Sequence, residues 1–272
     1  MMRKRLFYDK VTFAADTDDI TIIQPRYIHE VNLAIDVTSG TSAAASFDEI
    51  LGVLSKAQVK LTGRIVTELS GQDLLAYTCL VEQKSPKYLV PSAASELGKL
   101  EGLIIPLHLA AGEHVLSVRY FYAAQTNVAT AKLSFSTLEA DEPIEAAHVE
   151  LPSFSYTPPS TGAYNVALDA TFGGNVIGFL IYSTTIPTTS ADTCTVKKFR
   201  IKVAGDIVFE DIWETLSAQT PYPEDSTLRS ILDNYVYVDL SKQPIPAGQR
   251  TEIEIYSDDT NAAKIIPIIR MG

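Results

Sequence analysis

Four histidines (His29, His108, His114 and His148) and two cysteines (Cys79 and Cys194) are the residues with which this chain could ligate a metal or attack a carbonyl. None of the six has a second Cys or His at ligand spacing, so neither a zinc site nor a redox pair is encoded. Glu145 and His148 have the E-x-x-H spacing of a helical di-metal site, but they occur once, beside a proline, and such a site takes four helices. The motifs GxSxG, HExxH, GxGxxG and GxxxxGK[ST] are absent. His29 and His108 fall in strand-like segments and read as ordinary packed or surface residues. The cysteines, in apolar or Thr-rich surroundings, read as two buried free thiols. Nothing in this set converges on catalysis, and the expectation is that the chain is not an enzyme.

Two acidic groups, Asp16, Asp18 and Asp19, and Asp258 with Asp259, offer the carboxylate oxygens a hard cation takes. Neither has EF-hand spacing or its glycine, so a solvated turn stands beside a structural Ca²⁺ or subunit-interface site as the reading. No other cofactor is expected. The one basic cluster is Arg3, Lys4, Arg5 and Lys10, suited either to an anionic membrane surface or to a frayed, solvated end. A formal charge of -11 excludes extensive direct nucleic-acid binding, which needs clustered cations to displace counterions. Trp213, the single tryptophan, reads as core or as an intersubunit anchor. No apolar run reaches membrane-spanning length, and the opening MMRKRLFYDK lacks a signal peptide's apolar segment, so an intracellularly made, unprocessed chain is expected.

The elements that must carry these residues come in two copies. NLAIDVTSG (32–40) is matched with NVALDATFG (165–173), and VKLTGRIVTE (59–68) with IKVAGDIVFE (201–210), which places Gly63 over Gly205 and Glu68 over Glu210. LAAGEHVLSVRYFY (109–122) is matched with IPAGQRTEIEIY (245–256), Gly112 over Gly248, and Thr126-Asn127 with Thr260-Asn261. Four landmarks in one order argue duplication of a unit of strands and Gly turns. The Pro-rich, acidic stretch DEPIEAAHVELPSFSYTPPS separates the copies. The expected division is an N-terminal arm over 1–19, a first unit over 20–143, a linker over 144–160 and a second unit over 161–272.

Each copy reads as seven to eight alternating strands with few helices. Ser46 with Glu49 forms a capping-box pattern ahead of Phe47, Ile50, Leu51 and Leu54. A second short helix is expected from Ser70–Asp73 through Tyr77. The second copy's counterparts are Asp211–Ala218 and Ser226–Leu232, so a helix follows the Gly-turn hairpin in both.

The blocks VKLTGRIVTELSGQDLLAY and FRIKVAGDIVFEDIWETLSA carry a resemblance. Strand, Gly turn, strand, helix in two tandem sandwiches resembles the double jelly-roll major capsid proteins of tectivirus-like and corticovirus-like icosahedral viruses. The resemblance implies an all-β fold of two tandem eight-stranded jelly-roll sandwiches with short helical inserts. It implies a homotrimer forming a pseudo-hexagonal capsomer, assembled in the host cytoplasm into the virion. The implied partners are further copies of the chain, penton or minor capsid proteins, and internal membrane lipid through the N-terminal arm. Modest loops at Glu82–Gly102 and Ser183–Cys194 imply a capsomer without tall towers. The competing reading is a phage spike or carbohydrate-binding tandem sandwich, which would need an aromatic platform repeated in both copies. A glycosidase reading is weaker still, because Glu68 and Glu210 would lie in different sandwiches.

Overall fold

The computed structural model describes residues 2–14, 20–22, 26–110, 112, 116–142, 148–188 and 193–272. The chain divides into two compact units, Met1–Glu150 and Leu151–Gly272. In chain order the first holds β1 (Met2–Thr12), β2 (Ile20–Ile22), β3 (Tyr27–Ser39), α1 (Phe47–Gly52), β4 (Leu54–Leu61), β5 (Arg64–Leu69), α2 (Gly71–Ala76), a π-helical turn (Tyr77–Val81), β6 (Lys87–Leu89), β7 (Leu97–Leu109), β8 (Leu116–Tyr122), β9 (Val128–Ala140) and β10 (His148–Glu150). The second holds β11 (Phe154–Tyr156), β12 (Tyr164–Thr171), β13 (Asn175–Ser183), β14 (Lys198–Val203), β15 (Asp206–Ile212), α3 (Trp213–Gln219), α4 (Ser226–Leu232), β16 (Tyr235–Asp239), β17 (Arg250–Tyr256) and β18 (Ala263–Met271).

In the first unit one sheet has the order β1-β9-β3-β7-β6 and the other β2-β8-β4-β5. In the second, β11, β18, β13 and β16 form one sheet and β12-β17-β14-β15 the other. Successive strands of each unit therefore alternate between its sheets, apart from the pairs β4/β5, β6/β7 and β14/β15. Eight strands in two antiparallel sheets with this order make a jelly roll, and the chain contains two, with β6 added to the first. Period-two alternation explains the strands: Val31, Leu33, Ile35 and Val37 of β3 are all buried, as are Leu116, Val118 and Tyr120 of β8. The second unit's core gathers Phe179, Ile181, Phe199, Ile201, Ile253, Ile255 and Ile265.

Three of the four sequence correspondences join equivalent strands. β4/β5 and β14/β15 are hairpins closed by Thr62-Gly63 and Ala204-Gly205, with φ of 49° and 83°, and 51° and 95°. Positive φ at both central residues matches the twist of a two-residue hairpin. Each hairpin also carries a bulge, at Val66 and at Val208. Gly112 and Gly248 have φ of 76° and 78°, and Asn127 and Asn261 precede β9 and β18. The first correspondence is corrected: residues 32–39 lie in β3 and residues 165–171 in β12, which hold different places in the strand order. Alternating residues ending in a turn describe most strands of a sandwich, so that pattern cannot tell one strand from its neighbour.

α1, α2 and α4 follow a side-chain cap, whereas α3 has none, and Asp211 and Ile212 of the helix expected over Asp211–Ala218 lie in β15. Ser46 and Glu49, and Ser70 and Asp73, form reciprocal capping boxes at α1 and α2. Trp213 and Ser226 begin α3 and α4, the latter capped by Asp225. Within the expected arm 1–19, Met2–Thr12 is not apart from the first unit but pairs antiparallel with β9 as an edge strand. The stretch 144–160 contains β10 and β11.

Ala204 occupies a left-handed conformation that costs a Cβ-bearing residue about 1 kcal/mol. Ala204→Asn, which supplies the residue this turn favours, is expected to raise stability by up to about 1 kcal/mol, read as a higher urea midpoint with an unchanged slope.

Candidate functional site

Met2–Leu6 and Asp9–Thr12 of β1 are exposed throughout, and β1 ends its sheet with a free outer edge. Its cations are partly matched at home. Arg3 lies 3.9 Å from Asp141, Arg5 3.8 Å from Glu139, and Lys10 3.4 Å from Asp36. Lys4 has no ion-pair partner among the described residues. A β-bulge separates Tyr8 from Val11, and Lys10 within it has a φ of 53°, with its N–H donated to Ser134 Oγ.

β15 ends the second unit's sheet in the same way and is acidic, with Asp206, Glu210 and Asp211 and no cation. Behind it lies a charged lattice. Arg200 stacks 3.7 Å over the Tyr164 ring and bonds Glu210 at 3.0 Å and Glu254 at 3.2 Å, while Lys202 bonds Glu254 at 2.6 Å. Burial and the hydrogen bond Tyr164 donates to Glu210 push its hydroxyl up to about 12. Glu68 holds the equivalent place in the first unit, where it faces Gln58 across the hairpin and pairs with Lys56 at 3.2 Å. Both glutamates thus serve as cross-strand partners, each in its own unit.

The other sequence candidates disperse. Trp213 is 3% exposed in the second unit's core, so its large ring is spent on packing and it is not an intersubunit anchor. Asp258 pairs with Lys197 at 2.8 Å, whereas Asp259 accepts from Thr195 Oγ1 and the Asn261 N–H, both at 2.9 Å. Asp16, Asp18, Asp19, His114 and Glu145 lie outside the described residues. Among the described residues no three His, Cys, Asp or Glu side chains group as a metal site. Cys79 and Cys194 are buried, and burial pushes the Cys194 thiol up to about 11.

One cluster escaped the sequence reading. His29 and His108 meet edge to face with ring centroids 4.5 Å apart, and Tyr27 Oη lies 3.0 Å from His108 Nδ1. Beside them Glu30 accepts from Lys84 at 3.0 Å and from Asn32 at 3.1 Å. Nothing in sequence spacing signals it, because β3 and β7 are brought together only by pairing.

No protein-family model matches the chain, and no curated protein matches its sequence. Solved structures do match along its whole length. The major capsid protein of Sulfolobus Turreted Icosahedral Virus superposes with a TM-score of 0.75 at 13% identity, over 99% of this chain and 96% of that one. The PBCV-1 virus capsid protein gives 0.63 at 10% identity, over 99% and 93%. Major capsid protein P2 of bacteriophage PM2 gives 0.61 at 13% identity, over 99% and 97%.

The fold is the double jelly-roll of viral major capsid proteins.

Arg64, at the start of β5, donates from both terminal nitrogens to Glu150 of β10, and His148 Nε2 lies 3.1 Å from the same carboxylate. Burial works to raise the Glu150 carboxyl, but hydrogen bonds from His148 and Arg64 and the Arg64 charge outweigh it and hold the group below the usual range. A carboxylate with a lowered folded pKa adds stability above its ordinary value of 4.5 and loses it as pH falls through the folded value. Glu150→Gln is therefore expected to cost about 1–3 kcal/mol at pH 7 and to show a smaller further loss than wild type below pH 4.5, measured by urea unfolding at both pH values.

Proposed function

We propose that this chain is the shell-forming capsid protein of an icosahedral virus, working as a homotrimer whose six jelly rolls tile the capsid. The observation that carries the reading is that whole chain, from first strand to last, has the fold of such capsid proteins, with both jelly rolls present in tandem. A structural role also suits the chemistry. Arg200, Lys202, Glu210 and Glu254 of the β12-β17-β14-β15 sheet are satisfied by one another. The chain then acts through repeated lateral contact with its own copies and with other capsid components, and its place is the virion.

Lipid contact through β1 would fall to Lys4, since Arg3, Arg5 and Lys10 each have a carboxylate within 4 Å. The spike or sugar-binding reading has less support. Tyr164, an aromatic of the β12-β17-β14-β15 sheet, already has the Arg200 guanidinium over its ring.

Light scattering coupled to size exclusion is expected to give a molar mass near three times 29.7 kDa. The mass is expected to be unchanged by chelator, because Asp258 and Asp259 are engaged with Lys197, Thr195 and Asn261. A monomer at every concentration would overturn the shell reading.

A further inference from the structure

β3 and the segment that follows the π-helical turn bring an amine, a carboxamide and a carboxylate together in the first unit. Lys84 Nζ donates to Glu30 Oε2 at 3.0 Å, and Asn32 Nδ2 donates to Glu30 Oε1 at 3.1 Å. The Glu30 side chain is only 8% exposed, and His29 Nε2 stands 4.0 Å from the oxygen that Lys84 holds. Glu30 and Asn32 are two apart on β3 and share a face, whereas Lys84 is 54 residues from Glu30 along the chain. Backbone contacts hold the group in place independently of these side-chain bonds. Asn32 lies opposite Ile104 in the β3/β7 ladder, Ile104 donates its N–H to Thr78 Oγ1 at 3.0 Å, and Lys84 donates its N–H to Thr78 O at 3.0 Å. Lys84 is therefore anchored, through Thr78, to the strand beside Asn32.

A lysine amine attacks a carbonyl once a base takes its proton, and a carboxylate in reach of both the nucleophile and the leaving nitrogen can carry protons between them. Glu30 has that position. We propose that Lys84 and Asn32 join in an isopeptide bond, with Glu30 as the catalytic base and acid. Nζ attacks Asn32 Cγ, so the Nζ–Cγ bond forms and the Cγ–Nδ2 bond breaks. The two protons that the Lys84 ammonium gives up pass by way of Glu30 to Nδ2, which leaves as ammonium. Nothing is oxidised or reduced, and no other reactant enters. The four-carbon stem of Lys84, half exposed, lets Nζ swing from Oε2 to the roughly 3–3.5 Å from Cγ that attack needs. Burial of Glu30 keeps the transferred protons from bulk water. The event occurs once per chain, without turnover, and fastens the segment between the π-helical turn and β6 to the central strand of the sheet.

A second trio, on β4 and β5, shows what sets this one apart. Glu68 also holds a lysine amine and a carboxamide, from Lys56 at 3.2 Å and from Gln58. Its side chain is 39% exposed, and Lys56 and Gln58 stand two apart on the same strand, so a bond there would fasten nothing. No cross-link is expected at that position.

The test is the intact mass of the denatured full chain, followed in time after rapid purification at neutral pH. Wild type is expected to fall below the mass of its sequence by one ammonia, and protease digestion to yield a branched peptide joining Asn32 to Lys84. Glu30→Gln, which leaves both reacting groups in place, is expected to slow the loss by about a hundredfold or more. Lys84→Arg, at an exposed side chain that keeps its charge opposite Glu30, is expected to stay at full mass, with far-ultraviolet dichroism reporting the fold. Wild type that stays at full sequence mass, a branch between other residues, or ammonia loss undiminished in Glu30→Gln each overturns the proposal. Ammonia lost equally from Lys84→Arg would mark cyclisation of Asn32 on its own backbone and overturns it too. The shell reading stands or falls separately, on the trimer mass.

Discussion

In the first unit β3 is paired along its length with β9 on one side and β7 on the other, with Val31, Leu33, Ile35 and Val37 all buried. A slip of one residue against either neighbour would exchange that row for Asn32, Ala34 and Asp36, so burial fixes the register and the register fixes every cross-strand contact. β13 plays the same part in the second unit, between β16 and β18, with Phe179 and Ile181 in the core. The edge strands β1 and β15 are held by β9 and β14, and among their described side chains none is buried.

Duplication explains why polar contacts recur at matched positions with different chemistry. Gln58 facing Glu68 in one hairpin becomes Arg200 facing Glu210 in the other. In the first hairpin the Glu68 charge is met by Lys56 at 3.2 Å, whereas in the second Arg200 neutralises Glu210 and is joined by Tyr164 and Glu254 in a lattice over the sheet. The turn beside each Gly landmark is kept more strictly than the side chains, because two-residue hairpins demand positive φ at both central residues while the faces of the strands accept many pairings. Thr62 and Ala204 tolerate that conformation without being glycine.

The two hairpins diverge in their cover. Leu69 of the first hairpin is buried, and its equivalent in the second is Asp211, partly exposed. Val66 and Val208 keep the residue type and differ only in cover. One scaffold is thus repeated for shape while its surfaces differ position by position.

The sequence by itself determined the all-β class, the tandem repeat, both Gly-turn hairpins, the capping boxes at Ser46 and Ser70 and the helix at Ser226–Leu232, because each is set by residues close together in the chain. The double jelly-roll resemblance was also legible, on the hairpin-helix blocks that occupy equivalent places in both units. Strand identity was not, and the match of 32–40 with 165–173 crossed two different strands because alternation carries no label for position in a sheet. Only the tertiary structure decided that Met2–Thr12 is an edge strand, that Trp213 is core, that His29 meets His108, and that Arg64 reaches Glu150. Those outcomes depend on which distant strands pair, a choice made by burial over the whole sandwich rather than by any local stretch.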